Sequence, residues 1–395
     1  MSEALEKEGV ALGFDRFENI RSLILLMTLR CNLKCKMCGQ VSFFGEDPEK
    51  RMFIKEEIRF EDLKRVLDER PSWESLHLFG GEPMTYRFIG PLMELARERA
   101  QVVWMTTNGT IIGPHLDSMI RNLSGLTVSI DSSNPDENDA SRGVIGTTER
   151  ILKNFRALAA VRKPFAPVVV INSVITHHNY HALEKSLMFF ETEFSNGFDM
   201  IQFHLPRFVQ DSLGQEHEKF MMQEFGCHAK TWEGWRGHGE GIDLEILQNQ
   251  INKVKDHPKV IIYGIDKADQ LQGFFKNPKF PSINGLYPPE AHCKVMDKVL
   301  TIQPNGNVVL CTDFPDYVLG NIYQESLRDI WNNEPMRRLR LYLRKHTFFP
   351  ICAKCPRAVE SMHLSMGAGL KVADRFYKSM RQRKHVPGVL ARSSS

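Results

Sequence analysis

The sequence predicts an α/β fold, a partial parallel (β/α)6 barrel of TIM-like type followed by a small cysteine-bearing C-terminal domain. Between Arg21 and Phe203, short apolar runs alternate with longer amphipathic stretches, as expected of repeated strand-helix units around a parallel sheet. Glycine-rich and polar motifs recur just after those apolar runs, at the strand ends where parallel barrels gather their reactive groups. Seven of the eight cysteines fall into two groups, one early and one late, with Cys227 by itself.

Strands are expected at 23–28, 75–79, 102–106, 126–130, 168–174 and 200–204. Helices fill the intervals; in one of them Ile151, Phe155 and Leu158 stand at i, i+4 and i+7 and offer a single apolar stripe to the sheet. The barrel is expected over 21–206, after a lead-in of 1–20. Residues 207–290 break the alternation with Trp232, Trp235 and several glycines before a helical run around 244–254, and read as a linker or insertion, with 231–241 a lid over the barrel mouth. The cysteine-bearing domain is expected over 291–360. It has a hairpin turn at Pro304-Asn305-Gly306-Asn307, where Asn-Gly favours positive φ, and a helix over 326–345. Residues 361–395 carry seven Lys or Arg against Asp374 and read as a basic, solvated tail.

At 395 residues and 42% apolar, the chain supports a large domain plus a smaller one. With 51 basic and 48 acidic residues the net charge is +3, which argues for neither nucleic acid nor a charged membrane surface as partner. The longest early apolar run, 23–27, is far shorter than a membrane span, and the acidic first residues lack a signal peptide's layout, so the expected location is the cytoplasm.

The chemistry concentrates in Cys31, Cys35 and Cys38, a C-x3-C-x2-C run within eight residues. Three thiolates on one short loop suit three irons of a cubic iron-sulfur cluster and leave the fourth iron open to a small molecule. Zinc is the competing reading; it wants four ligands, and no close Cys or His follows Cys38. The later set is Cys293, Cys311, Cys352 and Cys355, which fits one closed four-iron cluster or a four-thiolate zinc site equally well. Cys227 reads as an ordinary buried thiol, His177, His178 and His181 as a surface cluster, and the basic run from Arg337 to Lys345 as a solvated helix face.

With Gly80-Gly81-Glu82-Pro83 after the second strand, Thr107-Asn108 after the third and Ser129-Ile130-Asp131 at the fourth, the chain resembles the radical S-adenosylmethionine superfamily over its first half. The resemblance implies a [4Fe-4S] cluster at Cys31, Cys35 and Cys38 whose open iron is chelated by S-adenosylmethionine. It further implies a 5'-deoxyadenosyl radical that removes a hydrogen atom from substrate, with an electron donor such as flavodoxin or ferredoxin. By the same resemblance Gly80, Gly81, Glu82 and Pro83 face the methionine amine, and Thr107 and Asn108 belong to the strand-three contact region. Ser129 and Asp131 match ribose or carboxylate contacts, Arg142 is a partner for the methionine carboxylate, and Asn172 is a further ribose contact. Met37 stands where the family usually has an aromatic residue, its thioether covering adenine.

The later cysteines, with Leu319-Gly320-Asn321-Ile322 and Ile330-Trp331-Asn332, resemble a SPASM extension reduced to four cysteines, as in the one-cluster layout of the 2-deoxy-scyllo-inosamine dehydrogenases. The implied function is a net oxidation of a small metabolite such as a sugar or aminocyclitol. Peptide maturation is the rival within the enzyme class, and a non-catalytic iron-sulfur or zinc protein the rival outside it. The lead-in is shorter than a leader-binding domain, which tilts the expectation toward a small molecule. No catalytic base is assigned.

Overall fold

Seven strands run parallel in chain order: β1 Ser22–Leu26, β2 Trp73–Phe79, β3 Ala100–Thr107, β4 Gly125–Ser129, β5 Val168–Val174, β6 Met200–His204 and β7 Val260–Tyr263. The first six fall on the expected runs. The computed structural model describes residues 17–44, 54–265, 268–278, 298–346, 348–353 and 355. Cys293, most of the lead-in and the basic tail lie outside those residues.

The helices are α1 Gly39–Phe44, α2 Phe60–Leu67, α3 Ile89–Arg99, α4 Leu116–Asn122, α5 Pro135–Arg142, α6 Thr147–Val161, α7 Leu183–Glu193, α8 Asp211–Phe225, α9 Leu244–Val254, α10 Leu271–Lys276, α11 Leu327–Asn332 and α12 Glu334–His346. Parallel strands covered on both faces need continuous apolar sequence, and Leu23 to Leu26 and Val168 to Ile171 are buried along their whole length. From α6, Ile151, Phe155 and Leu158 are buried against the sheet as their spacing predicts.

On the far side of β1 the sheet continues. Strand β8, Val299–Ile302, pairs in parallel with β1, placing Leu300 opposite Leu23, and then turns into antiparallel β9 Asn307–Val309 and β10 Val318–Asn321. Among the described residues the sheet is open, in the order β10-β9-β8-β1-β2-β3-β4-β5-β6-β7. The expected hairpin turn is present, with Gly306 at φ +81°.

Three expectations are corrected. Residues 207–290 contain α8, α9 and a seventh sheet strand; β7 is only four residues long, Val-Ile-Ile-Tyr, too short for a periodicity signal. The helix expected over 326–345 is two helices, broken at Asn333, whose backbone is extended and whose side-chain oxygen accepts the Met336 amide at 3.0 Å ahead of the α12 interior. The basic run is only partly solvated: Arg340 is buried with its guanidinium 4.2 Å from the Trp331 ring centroid, while Arg338 lies over Phe225.

Candidate active site

The loop after β1 carries Cys31, Cys35 and Cys38, and it is built from its neighbours' strand ends. Beneath it runs Gly80-Gly81: the Gly81 amide donates to the Thr28 carbonyl and the Glu82 amide to the Arg30 carbonyl, both at 2.8 Å. A Cβ on Gly80, which has φ +142°, would lie 2.3 Å from the Thr28 oxygen, and one on Gly81 would lie 2.3 Å from the Arg30 oxygen. The glycine pair was expected to admit a ligand; here it admits the chain's own backbone, which lets β2 cross under the cysteine loop.

Glu82 is fully buried. Its Oε1 accepts the Thr107 hydroxyl at 2.6 Å and the Met84 amide at 3.1 Å, and its Oε2 accepts the Asn108 amide at 2.7 Å. Burial pushes its pKa up against the pull of those three bonds, and no cation among the described residues contributes. An ionised carboxylate has about four acceptor positions, so one remains for a further donor. Pro83 opens the short 3-10 turn that follows.

Asn108 ties this wall to the cysteines. Its Nδ2 donates to Asn32 Oδ1 at 2.8 Å and reaches Cys31 Sγ at 3.8 Å, while its Oδ1 accepts from the Thr110 amide and hydroxyl.

The opposite wall comes from α5. Asn134 caps its N-terminus, Pro135 occupies the first turn, and Gly143 ends it at φ +72°, where a Cβ would strike the Lys34 carbonyl at 2.2 Å. Arg142 is therefore delivered to the loop: its Nη2 donates to Asp131 Oδ1 at 2.6 Å and its Nη1 stands 4.0 Å from Cys35 Sγ. Both Asp131 oxygens are engaged, by Arg142, Ser141 and the Val174 amide. Arg142 Nε is buried without a partner among the described residues. Burial raises the thiols of Cys35 and Cys38, with Arg142 the largest opposing influence at Cys35. Ser129 closes β4 and Asn172 lies beside it in the β4–β5 register, both half-buried, as is Met37 between Cys35 and Cys38.

Among the described residues no three His, Cys, Asp or Glu side chains converge on one ion. The His177 and His178 rings lie 3.8 Å apart, and His181 faces Glu137.

The segment 231–241 packs beside the cysteine loop. Asp316 accepts the amides of Lys230 and Thr231, at 2.8 and 3.0 Å, and the Thr231 hydroxyl; the Trp235 indole N–H donates to the Asp313 carbonyl at 3.3 Å. A Cβ on Gly234 would meet the Gly39 oxygen at 2.1 Å, and His238 bonds Ser42. The segment thus straps the helix after Cys38 to the loop after Cys311. Cys311 follows β9, and Cys352 and Cys355 follow α12. Residue-level reasoning missed Arg207, Asp313 and Asp316. Arg207, three residues past β6, sits at the kind of strand end that flagged the other motifs.

Family models match two parts of the chain, the radical SAM superfamily over residues 25–190 and the SPASM iron-sulfur cluster-binding domain over 293–356. The chain belongs to the radical SAM superfamily. As a radical SAM enzyme it uses S-adenosylmethionine and a four-iron cluster, and its SPASM domain adds auxiliary iron-sulfur chemistry.

It is 27% identical over 341 residues to the pre-heme d1 synthase of Dinoroseobacter shibae, covering 83% of this chain and 77% of that protein. It is 26% identical over 328 residues to the AdoMet-dependent heme synthase of Methanosarcina barkeri, covering 80% and 83%. In fold it is similar to SuiB of Streptococcus suis bound to S-adenosylmethionine, with TM-score 0.56 at 17% identity, covering 80% of this chain and 67% of that one. It is similar also to anSMEcpe with bound AdoMet, with TM-score 0.53 at 17% identity, covering 92% and 97%. No helix among the described residues is long and apolar enough to cross a membrane.

Proposed function

We propose that this radical SAM enzyme removes a hydrogen atom from a small organic metabolite in a net oxidation, with Cys31, Cys35 and Cys38 holding the cofactor-binding cluster and Cys293, Cys311, Cys352 and Cys355 the auxiliary one. The observation that carries the reading is Glu82: a fully buried carboxylate with an unspent acceptor and no cation beside it among the described residues, at the wall of the cysteine loop. An ammonium group satisfies both its charge and its open position.

When bound, S-adenosylmethionine and the reduced cluster supply one-electron chemistry that ends in hydrogen-atom abstraction. The chain's residues do the rest. Gly80, Gly81 and Pro83 fix the turn that presents Glu82, and Thr107 and Asn108 orient the carboxylate while Asn108 braces Cys31. Arg142 holds the Cys35 side with Asp131 as its anchor and has Nε to spare for a carboxylate. Met37, Ser129 and Asn172 complete the nucleoside side. The strap 231–241 closes the mouth against water.

A cavity of about 660 Å3 beside the strap, lined by Phe208, Asp211, Arg236, Glu240 and Phe275, supports a small substrate, since clefts of roughly 300–1,000 Å3 hold drug-sized molecules. The pre-heme d1 and heme synthases among the relatives support a tetrapyrrole-sized metabolite ahead of a sugar or aminocyclitol. Peptide modification is the second reading, favoured by 22% identity over 79% of this chain to the subtilosin biosynthesis protein AlbA of Bacillus subtilis.

The test is anaerobic turnover of the reconstituted protein with tetrapyrrole, sugar and peptide panels, reading 5'-deoxyadenosine and substrate mass. Stoichiometric 5'-deoxyadenosine with a tetrapyrrole or sugar and none above background with peptides is the expected result. Turnover confined to peptides overturns the small-molecule reading.

A further inference from the structure

Just past β6, the run Leu205-Pro206-Arg207-Phe208 places an arginine between the two cysteine sets. The Arg207 side chain is 8% exposed and ion-paired through Nη1 to Asp313, two residues beyond Cys311. Its guanidinium lies 4.7 Å from the Phe314 ring centroid and 5.6 Å from that of Trp235. Trp235 in turn donates to the Asp313 carbonyl and packs on Gly39, next to Cys38. The charge of Arg207 acts on Cys355, Cys311 and Cys352, while that of Asp313 reaches as far as Cys38. A buried cation, stacked between aromatic rings, is thus held by a half-buried counter-anion two residues from Cys311.

We infer that Arg207 sets the reduction potential of the auxiliary cluster, with Asp313 opposing it. The inference rests on the reading of the late cysteines as ligands of that cluster. One-electron reduction adds one negative charge to the cluster, the electron coming from the substrate radical left after hydrogen abstraction. A buried guanidinium at short range stabilises the more negative state and raises the potential, and a half-buried carboxylate lowers it; low dielectric around the guanidinium enlarges its effect. The aromatic rings fix the guanidinium by stacking and keep water from screening it. Arg207 touches no reacting atom in this scheme; it is a positioning residue acting through the cluster.

The test uses the full chain carrying Cys31→Ala, Cys35→Ala and Cys38→Ala, so that the auxiliary cluster is the sole paramagnet, in an EPR-monitored redox titration. Arg207→Met is expected to lower the midpoint by at least tenfold in the one-electron equilibrium, about 59 mV. Asp313→Asn is expected to raise it, and Arg207→Lys to hold it near the parent value. A purely structural role for the pair does not give opposite signs. A potential unmoved in Arg207→Met with iron content intact, or shifts of the same sign in Arg207→Met and Asp313→Asn, overturns the inference alone. Loss of all iron from the triple-alanine parent overturns the cysteine assignment and the inference with it.

Discussion

At Glu82 a carboxylate sits out of water and, among the described residues, only uncharged donors meet it, namely the Thr107 hydroxyl and the amides of Met84 and Asn108. Hydrogen bonds to a charged group contribute about 1.5–3 kcal/mol, so Glu82→Ala is expected to weaken S-adenosylmethionine binding by roughly 10- to 150-fold. Iron content should stay unchanged, because no cysteine contacts the lost carboxylate directly; equilibrium dialysis with iron assay checks both. Cys227 shows the contrasting behaviour of a thiol outside the two cysteine sets. Its S–H donates to the Asp316 carbonyl at 3.2 Å, and burial, with Asp316 adding to it, pushes its pKa up to about 11. The thiolate is the reactive form, so alkylation at pH 8 should be slow and should accelerate as pH climbs toward 11. Mass mapping of labelled peptides measures this, and fast labelling at pH 8 contradicts the burial described here.

The strap 231–241 and the glycine crossings are where single atoms decide the geometry of an element. Gly234→Ala puts a methyl group 2.1 Å from the Gly39 carbonyl, and overpacking of this kind costs about 1–3 kcal/mol. The expected result is a lower melting temperature together with faster uncoupled cofactor cleavage, as the strap lifts from the helix after Cys38. Unchanged stability and coupling would show that the strap does not seal the mouth. At this scale the sequence was informative wherever spacing carries the signal. The six strands, the α6 stripe of Ile151, Phe155 and Leu158, and the Asn305-Gly306 turn all stand where periodicity and turn chemistry put them. Elements set by tertiary contact were not legible. A four-residue strand such as β7 has no period to read, and the burial of Arg340 depends on Trp331 lying across from it. The proximity of Arg207 to the late cysteines follows from the return of the chain to β8, which no local pattern announces.

For the whole molecule, continuity of the sheet joins the late strands to the barrel. The β8 strand docks on β1 in register, Val299 against Ser22, so the turn into β9 stands at the same edge as the Cys31 loop. The opposite half of the sheet is held by a buried pair: Asp199 takes Arg162 Nη1 and Nη2 at 2.8 and 2.9 Å and the Val169 amide at 2.8 Å, joining α6 to β5 and β6. Removing one member of such a pair strands the other, so Asp199→Ala is expected to cost about 3–5 kcal/mol in denaturant unfolding. A loss below about 1 kcal/mol would contradict the pairing. The four strand-end motifs were legible because parallel strands present them on one edge, whereas the spatial meaning of Gly80-Gly81, a crossing under backbone at residues 28–30, needed the fold.

The central claim is that Cys31, Cys35 and Cys38 hold a cluster with an iron open to S-adenosylmethionine, separate from a closed auxiliary cluster. Its most direct measurement is iron counting with EPR of the reduced protein, with and without S-adenosylmethionine, in the parent and in the Cys31→Ala, Cys35→Ala, Cys38→Ala variant. About eight irons and a cofactor-dependent change of signal are expected in the parent, and about four irons with a signal indifferent to the cofactor in the variant. A variant that keeps about eight irons, or that still answers to S-adenosylmethionine, contradicts the account.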